Sequence, residues 1–127
     1  MTNAVNEHAI NRILLETNTS GATLRSLYQL YKSQHRKVSF SFLCKRTGIP
    51  SKGYLAFVMN GKRRLNTKYW APVCDVFKLN YRQAEVLRLL LEADAEPESR
   101  AFHDVKMRIL RAELMGLEFK PIGNIPI

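Results

Sequence analysis

Two short apolar-periodic stretches, each opened by a serine and closed by a glycine, lie back to back between Ser39 and Gly61. In the first, Phe40, Leu43, Cys44 and Thr47 recur at the spacing of one helical face. Ser39 stands where an N-cap belongs, and Gly48 supplies the left-handed residue on which a helix commonly ends. Ile49 and Pro50 carry the turn, because a proline disfavours helical geometry at the residue before it. Ser51 then caps a second helix, Lys52 to Asn60, with Leu55, Val58 and Met59 inward and Gly61 as its stop.

The rest of the chain keeps the same period. A short helix is expected over residues 8–16, with Ile10, Ile13 and Leu14 on one face and Asn18–Gly21 breaking it. Leu24, Leu27, Tyr28 and Tyr31 predict a helix from about Ala22 to Gln34. Asn66 or Thr67 opens a segment carrying Trp70, Val73, Cys74 and Phe77, regular only from about Ala71 because Pro72 disturbs its start. Asn80 with Gln83 forms a capping-box pattern ahead of Ala84, Leu87, Leu90 and Leu91. ADAEPES (93–99) reads as a solvated acidic linker, including Asp94. A last helix, about Arg100 to Met115, is expected to carry Phe102, Val105, Ile109 and Ala112 and to end at Gly116 before an extended tail. No stretch alternates with period two. The expected fold is all-α: an N-terminal helix or arm (1–21), a compact five-helix domain (22–95), and a C-terminal helix and tail (96–127).

Charge is distributed very unevenly. From Thr17 to Cys74 there is no Asp or Glu, while Arg25, Lys32, Arg36, Lys37, Lys45, Arg46, Lys52, Lys62, Arg63, Arg64 and Lys68 all fall there. The flanks are nearly neutral, so this block accounts for the net charge of +9. Self-repulsion opposes compaction, and the natural counterpart of such a surface is a polyanion, most commonly nucleic acid. His8, His35 and His103 are scattered, and no phosphate loop, nucleophile elbow or metal-ligand spacing occurs. Neither enzymatic activity, cofactor nor metal is expected. No apolar run approaches the ~20 residues of a membrane span. The N-terminus lacks the basic start and apolar centre of a secretory signal. Cys44 and Cys74 read as buried, reduced thiols, so the expected location is cytoplasmic.

Two short helices joined by a tight Gly turn, the second capped and basic at its start, describe a helix-turn-helix. The first braces the second, whose N-terminal half is free to enter a major groove while its end attracts phosphate. The exposed faces would offer Ser41, Lys45, Arg46, Ser51, Lys52, Tyr54 and Phe57, although aromatics at helical spacing also suit a core. SFSFLCKRTGIPSKGYLAFVMNGKRRLN resembles the helix-turn-helix of the lambda-repressor/Cro-like superfamily. It is most similar to a family of bacterial regulators from predatory and fibre-degrading bacteria, through Ser39, Phe40, Leu43, Arg46, Gly48, Ile49, Ser51, Tyr54, Leu55, Val58, Met59, Gly61, Lys62, Arg63 and Leu65. The resemblance covers about residues 22–95. Position 41, often Arg in relatives, is Ser41 here, and Pro50 lengthens the turn by one residue relative to the broad superfamily.

The resemblance implies a DNA-binding transcriptional regulator. Lys52 and Gly53 would fall where base edges are read, Phe57 one turn later against a thymine methyl, and Asn60, Lys62 and Arg63 at phosphates or bases past the helix end. Arg64, Lys45 and Arg46 are assigned to phosphate. Double-stranded DNA is the expected partner, read by a homodimer. Pairing would come from the last helix and Phe119, Ile122, Ile125 and Ile127 of the tail, which could equally dock on their own core. The alternative is an interaction module whose helix-turn-helix docks an acidic protein.

Overall fold

The computed structural model describes residues 3–116, with side chains from residue 6, and all its regular structure is helical. The elements are α1 (Asn3–Glu16), α2 (Ser20–Gln34), α3 (Phe40–Thr47), α4 (Lys52–Met59), α5 (Trp70–Val76), α6 (Tyr81–Ala95) and α7 (Arg100–Leu114). Single 3-10 turns, Thr67–Tyr69 and Pro97–Ser99, lead into α5 and α7. Phe119, Ile122, Ile125 and Ile127, expected to pair chains or dock on the core, lie outside the described residues.

The caps form where the residue types place them. Ser39 Oγ accepts from Phe42 N–H at 3.1 Å, Ser51 Oγ from Tyr54 N–H at 3.1 Å, and Gly48 closes α3 at φ 83°. Asn80 and Gln83 complete both arms of the capping box. Each such cap contributes about 1 kcal/mol. Pro72 is third in α5, inside the first turn, where its missing N–H has no helical acceptor to lose.

α6 is the central post, packed on α1, α2, α5 and α7, while α2 meets α4 and α3 meets α4 and α5. Leu14, Leu24, Leu27, Val86, Leu87 and Leu90 are completely buried at these contacts, each stabilising by about 1.5–3 kcal/mol. Gln83 is buried too, and its amide donates to Asn11 Oδ1 at 2.7 Å, tying α6 to α1. α2 and α4 approach so closely that Gly21 has backbone carbonyls of α4 where a Cβ would stand.

Three expectations are corrected. The break after α1 is placed differently from the expected Asn18–Gly21: it spans residues 17–19, α2 begins at Ser20, capped by Thr19, and Gly21 is a packing residue inside α2. α1 begins at Asn3, five residues before the expected start. The 93–99 stretch is not a solvated linker, because α6 continues through Ala95, Ala93 is buried, and Asp94 accepts from Ser20 N–H at 2.8 Å and Ser20 Oγ at 2.7 Å. On α7, His103, Met107 and Leu114 are buried, and Phe102, Val105 and Ile109 are exposed. Arg100 and Arg111 set that orientation by donating to the carbonyls of Asn18, Leu14 and Thr17 at the end of α1.

Burial pushes the Cys74 thiol up from 9.0 to about 11, with smaller opposing effects of Arg88 and Asp75. The unfolded chain ionises first, so this contribution to stability is complete below pH 9 and lost as pH rises towards 11. We expect the stability difference between wild type and Cys74→Ala to shrink by about 2–3 kcal/mol between pH 8 and 11 in urea titrations.

Candidate nucleic-acid interface

The chemistry of α4 follows from its two faces. Leu55, Val58 and Met59 are buried, which turns Gly53, Phe57 and Asn60 outward, while Lys52 is exposed as the first residue of the helix. Phe57 is 49% exposed, so it belongs to the outer face and not to the core. Ser51 is exposed at the start of α4, but its hydroxyl is occupied as the cap. Four residues, Gly48 to Ser51, separate α3 from α4. Ile49 is buried in that turn, and its N–H donates to Thr47 Oγ1 at 3.3 Å, which fixes the angle between the helices.

α3 contributes Ser41 at its first turn and Lys45 and Arg46 at its last, all exposed. The Arg46 guanidinium lies 5.1 Å from the Phe42 ring centre. Cys44, expected to be buried, is only half-buried on this helix. Lys52 stands close to it: burial raises the Cys44 thiol, and the Lys52 ammonium partly lowers it again.

The basic loop after α4 is held by its backbone, which frees its side chains. The N–H groups of Lys62 and Arg63 donate to Phe57 O at 2.8 and 3.3 Å. Tyr54 Oη donates to Arg64 O at 3.0 Å and accepts from Asn66 N–H at 2.9 Å. Trp70 Nε1 donates to Leu65 O at 2.9 Å, while Leu65 itself is buried. Lys62, Arg63 and Arg64 therefore project from a fixed backbone into solvent. Tyr54 is half-buried and its hydroxyl is used twice within the chain, so it positions the loop and does not reach outward as a free polar group. Tyr54→Phe removes both bonds while keeping the ring. It is expected to cost about 1–2 kcal/mol in denaturant unfolding and to raise amide exchange over Arg64–Asn66.

No family model, curated protein or solved structure matches this chain. What each residue can do then follows from its own surroundings. All eleven cations of the 17–74 block are exposed. Among the described residues none of them is in an ion pair; the ion pairs are Arg12–Glu16, Arg82–Glu113, Arg100–Asp94, Arg100–Asp104 and His103–Glu92. Fixed positive charge without internal counter-charge raises the local concentration of anions.

One member of this surface was not singled out by sequence. Arg25, on α2, donates to Met59 O at 3.5 Å and to Asn60 Oδ1, bridging to the end of α4. With Lys62, Arg63 and Arg64 it lines a cleft of about 740 Å³ between the start of α2 and the 60–65 loop. Its charge was visible in the sequence. Its meeting with α4 across 35 residues is a tertiary fact that no local pattern encodes.

Proposed function

We propose that this chain is a DNA-binding transcriptional regulator of the cytoplasm, with a lambda-repressor-like five-helix unit formed by α2 to α6. α3 and α4 are its helix-turn-helix, and α4 is the element that enters the major groove. The observation that carries this reading is the set of eleven exposed block cations, none of them in an ion pair among the described residues. Lys52 stands at the N-terminal end of α4, where a donor meets guanine acceptors or phosphate. Phe57 presents an apolar edge one turn later, suited to a thymine methyl. Lys45 and Arg46 precede α4 and Lys62, Arg63 and Arg64 follow it, all exposed and suited to phosphate oxygens.

Selection from a random duplex library tests this. Enrichment of a short, defined site is expected, and Lys52→Ala should relax preference at one or two positions, each by about 1–3 kcal/mol. Flat enrichment would contradict sequence-specific reading and favour an acidic protein as the partner of the same surface.

A further inference from the structure

α7 has two apolar faces, and only one of them is covered by the described residues. Advancing about 100° per residue, His103, Met107, Leu110 and Leu114 point together towards the rest of the protein. Phe102, Val105, Ile109 and Ala112 point the other way. Phe102 is 65% exposed, Val105 52% and Ile109 58%. Six large apolar side chains are exposed among the described residues, and four of them, counting Met115 at its end, belong to this one helix. The spacing 102, 105, 109, 112 alternates steps of three and four, the repeat that forms a seam between two helices.

We propose that this seam docks a second copy of the chain, with the two α7 helices parallel about a two-fold axis. The charges beside the seam decide both occupant and direction. Lys106 and Glu113 flank it on one edge and Arg108 on the other. In a parallel pair, each Arg108 comes opposite Glu113 of the second copy, five residues further on, and the symmetry makes this bridge twice. An antiparallel pair would oppose Lys106 to Lys106 and Arg108 to Arg108. Glu113 is 3.6 Å from Arg82 in its own chain yet its side chain is 42% exposed, so a second cation can reach it. The Lys106 ammonium lies 5.5 Å from the Phe102 ring centre, at the edge of the seam. α7 packs on α6 and α1, whereas α4 packs on α2 and α3, so pairing through α7 uses a different element from the proposed DNA-reading helix.

Sedimentation equilibrium of the full chain, without DNA, is the test, so its failure and the failure of the DNA reading are separable. A monomer–dimer equilibrium is expected. Ile109→Asp places a carboxylate in the seam and should weaken pairing by about a hundredfold or more. Arg108→Glu should weaken it by about tenfold, and Arg108→Glu combined with Glu113→Arg should restore it. Circular dichroism will register the fold of each variant, Glu113→Arg included, which also gives up the Arg82 ion pair. A chain that is monomeric at every concentration overturns the proposal and leaves residues 117–127 of the same chain as the occupant. A dimer indifferent to Ile109→Asp overturns it as well. Loss of pairing in the single charge variant without recovery in the double overturns the parallel arrangement.

Discussion

Replacing Lys62, Arg63 and Arg64 together with Ser is expected to weaken duplex binding by about a hundredfold or more at physiological salt, for every sequence alike. The salt dependence should flatten with it, by about 0.9 in log–log slope for each phosphate no longer neutralised. The fold should survive, because the loop is held by atoms that the substitutions leave in place. Lys62 N–H and Arg63 N–H still reach Phe57 O, and Tyr54 Oη still bridges Arg64 O and Asn66 N–H. The Arg63 guanidinium, 5.2 Å from the Tyr54 ring centre, is the main packing interaction surrendered, and at an exposed site it contributes about 0.5–1 kcal/mol. Binding titrations beside urea melts check both halves. Undiminished affinity would remove this loop from the interface, and a collapsed melt would mean that the charges are structural.

The largest effect on stability is expected at Gly21. A Cβ there would stand 2.7 Å from Val58 O, 2.9 Å from Met59 O and 3.3 Å from Met59 C. These are backbone atoms of α4, so no side chain can rotate away, and α2 and α4 must separate. Gly21→Ala should therefore cost about 2–4 kcal/mol, a large part of the total for a domain of this size. Gly53 gives the opposite sign. It lies in the first turn of α4, where a new Cβ would meet nothing nearer than Ser51 Oγ at 4.0 Å. Gly53→Ala should stabilise by about 0.5–1 kcal/mol, since alanine restricts the unfolded chain more than glycine does. Because Gly21 seats α4, its variant should also lose duplex affinity in proportion to its unfolded fraction.

The residues that were legible in sequence are those whose physics is local. Ser39, Ser51, Gly48 and the Asn80–Gln83 box act within three or four residues of themselves, so type and spacing suffice to place α3, α4 and α6. The outward face of α4 was legible for the same reason, because Leu55, Val58 and Met59 fix the inward one. The unforeseen features join distant segments. Asp94 reads as one carboxylate of an acidic linker until α6 brings it to Ser20, 74 residues away. Arg111 reaches Leu14 across 97 residues and thereby decides which side of α7 faces in. The heptad stripe at Phe102, Val105 and Ile109 is genuine, but periodicity finds an apolar face without saying what it meets. Gly21 shows the same limit: a glycine near a helix start suggests a breaker, and only the packed partner reveals a close approach.

The central claim is that the basic surface around α4 lies on duplex phosphates. Equilibrium affinity of the full chain for a selected duplex, measured between about 50 and 300 mM monovalent salt, tests it most directly. Six phosphates neutralised by a pair of chains predict a log–log slope of about −5. A slope near zero would contradict the account.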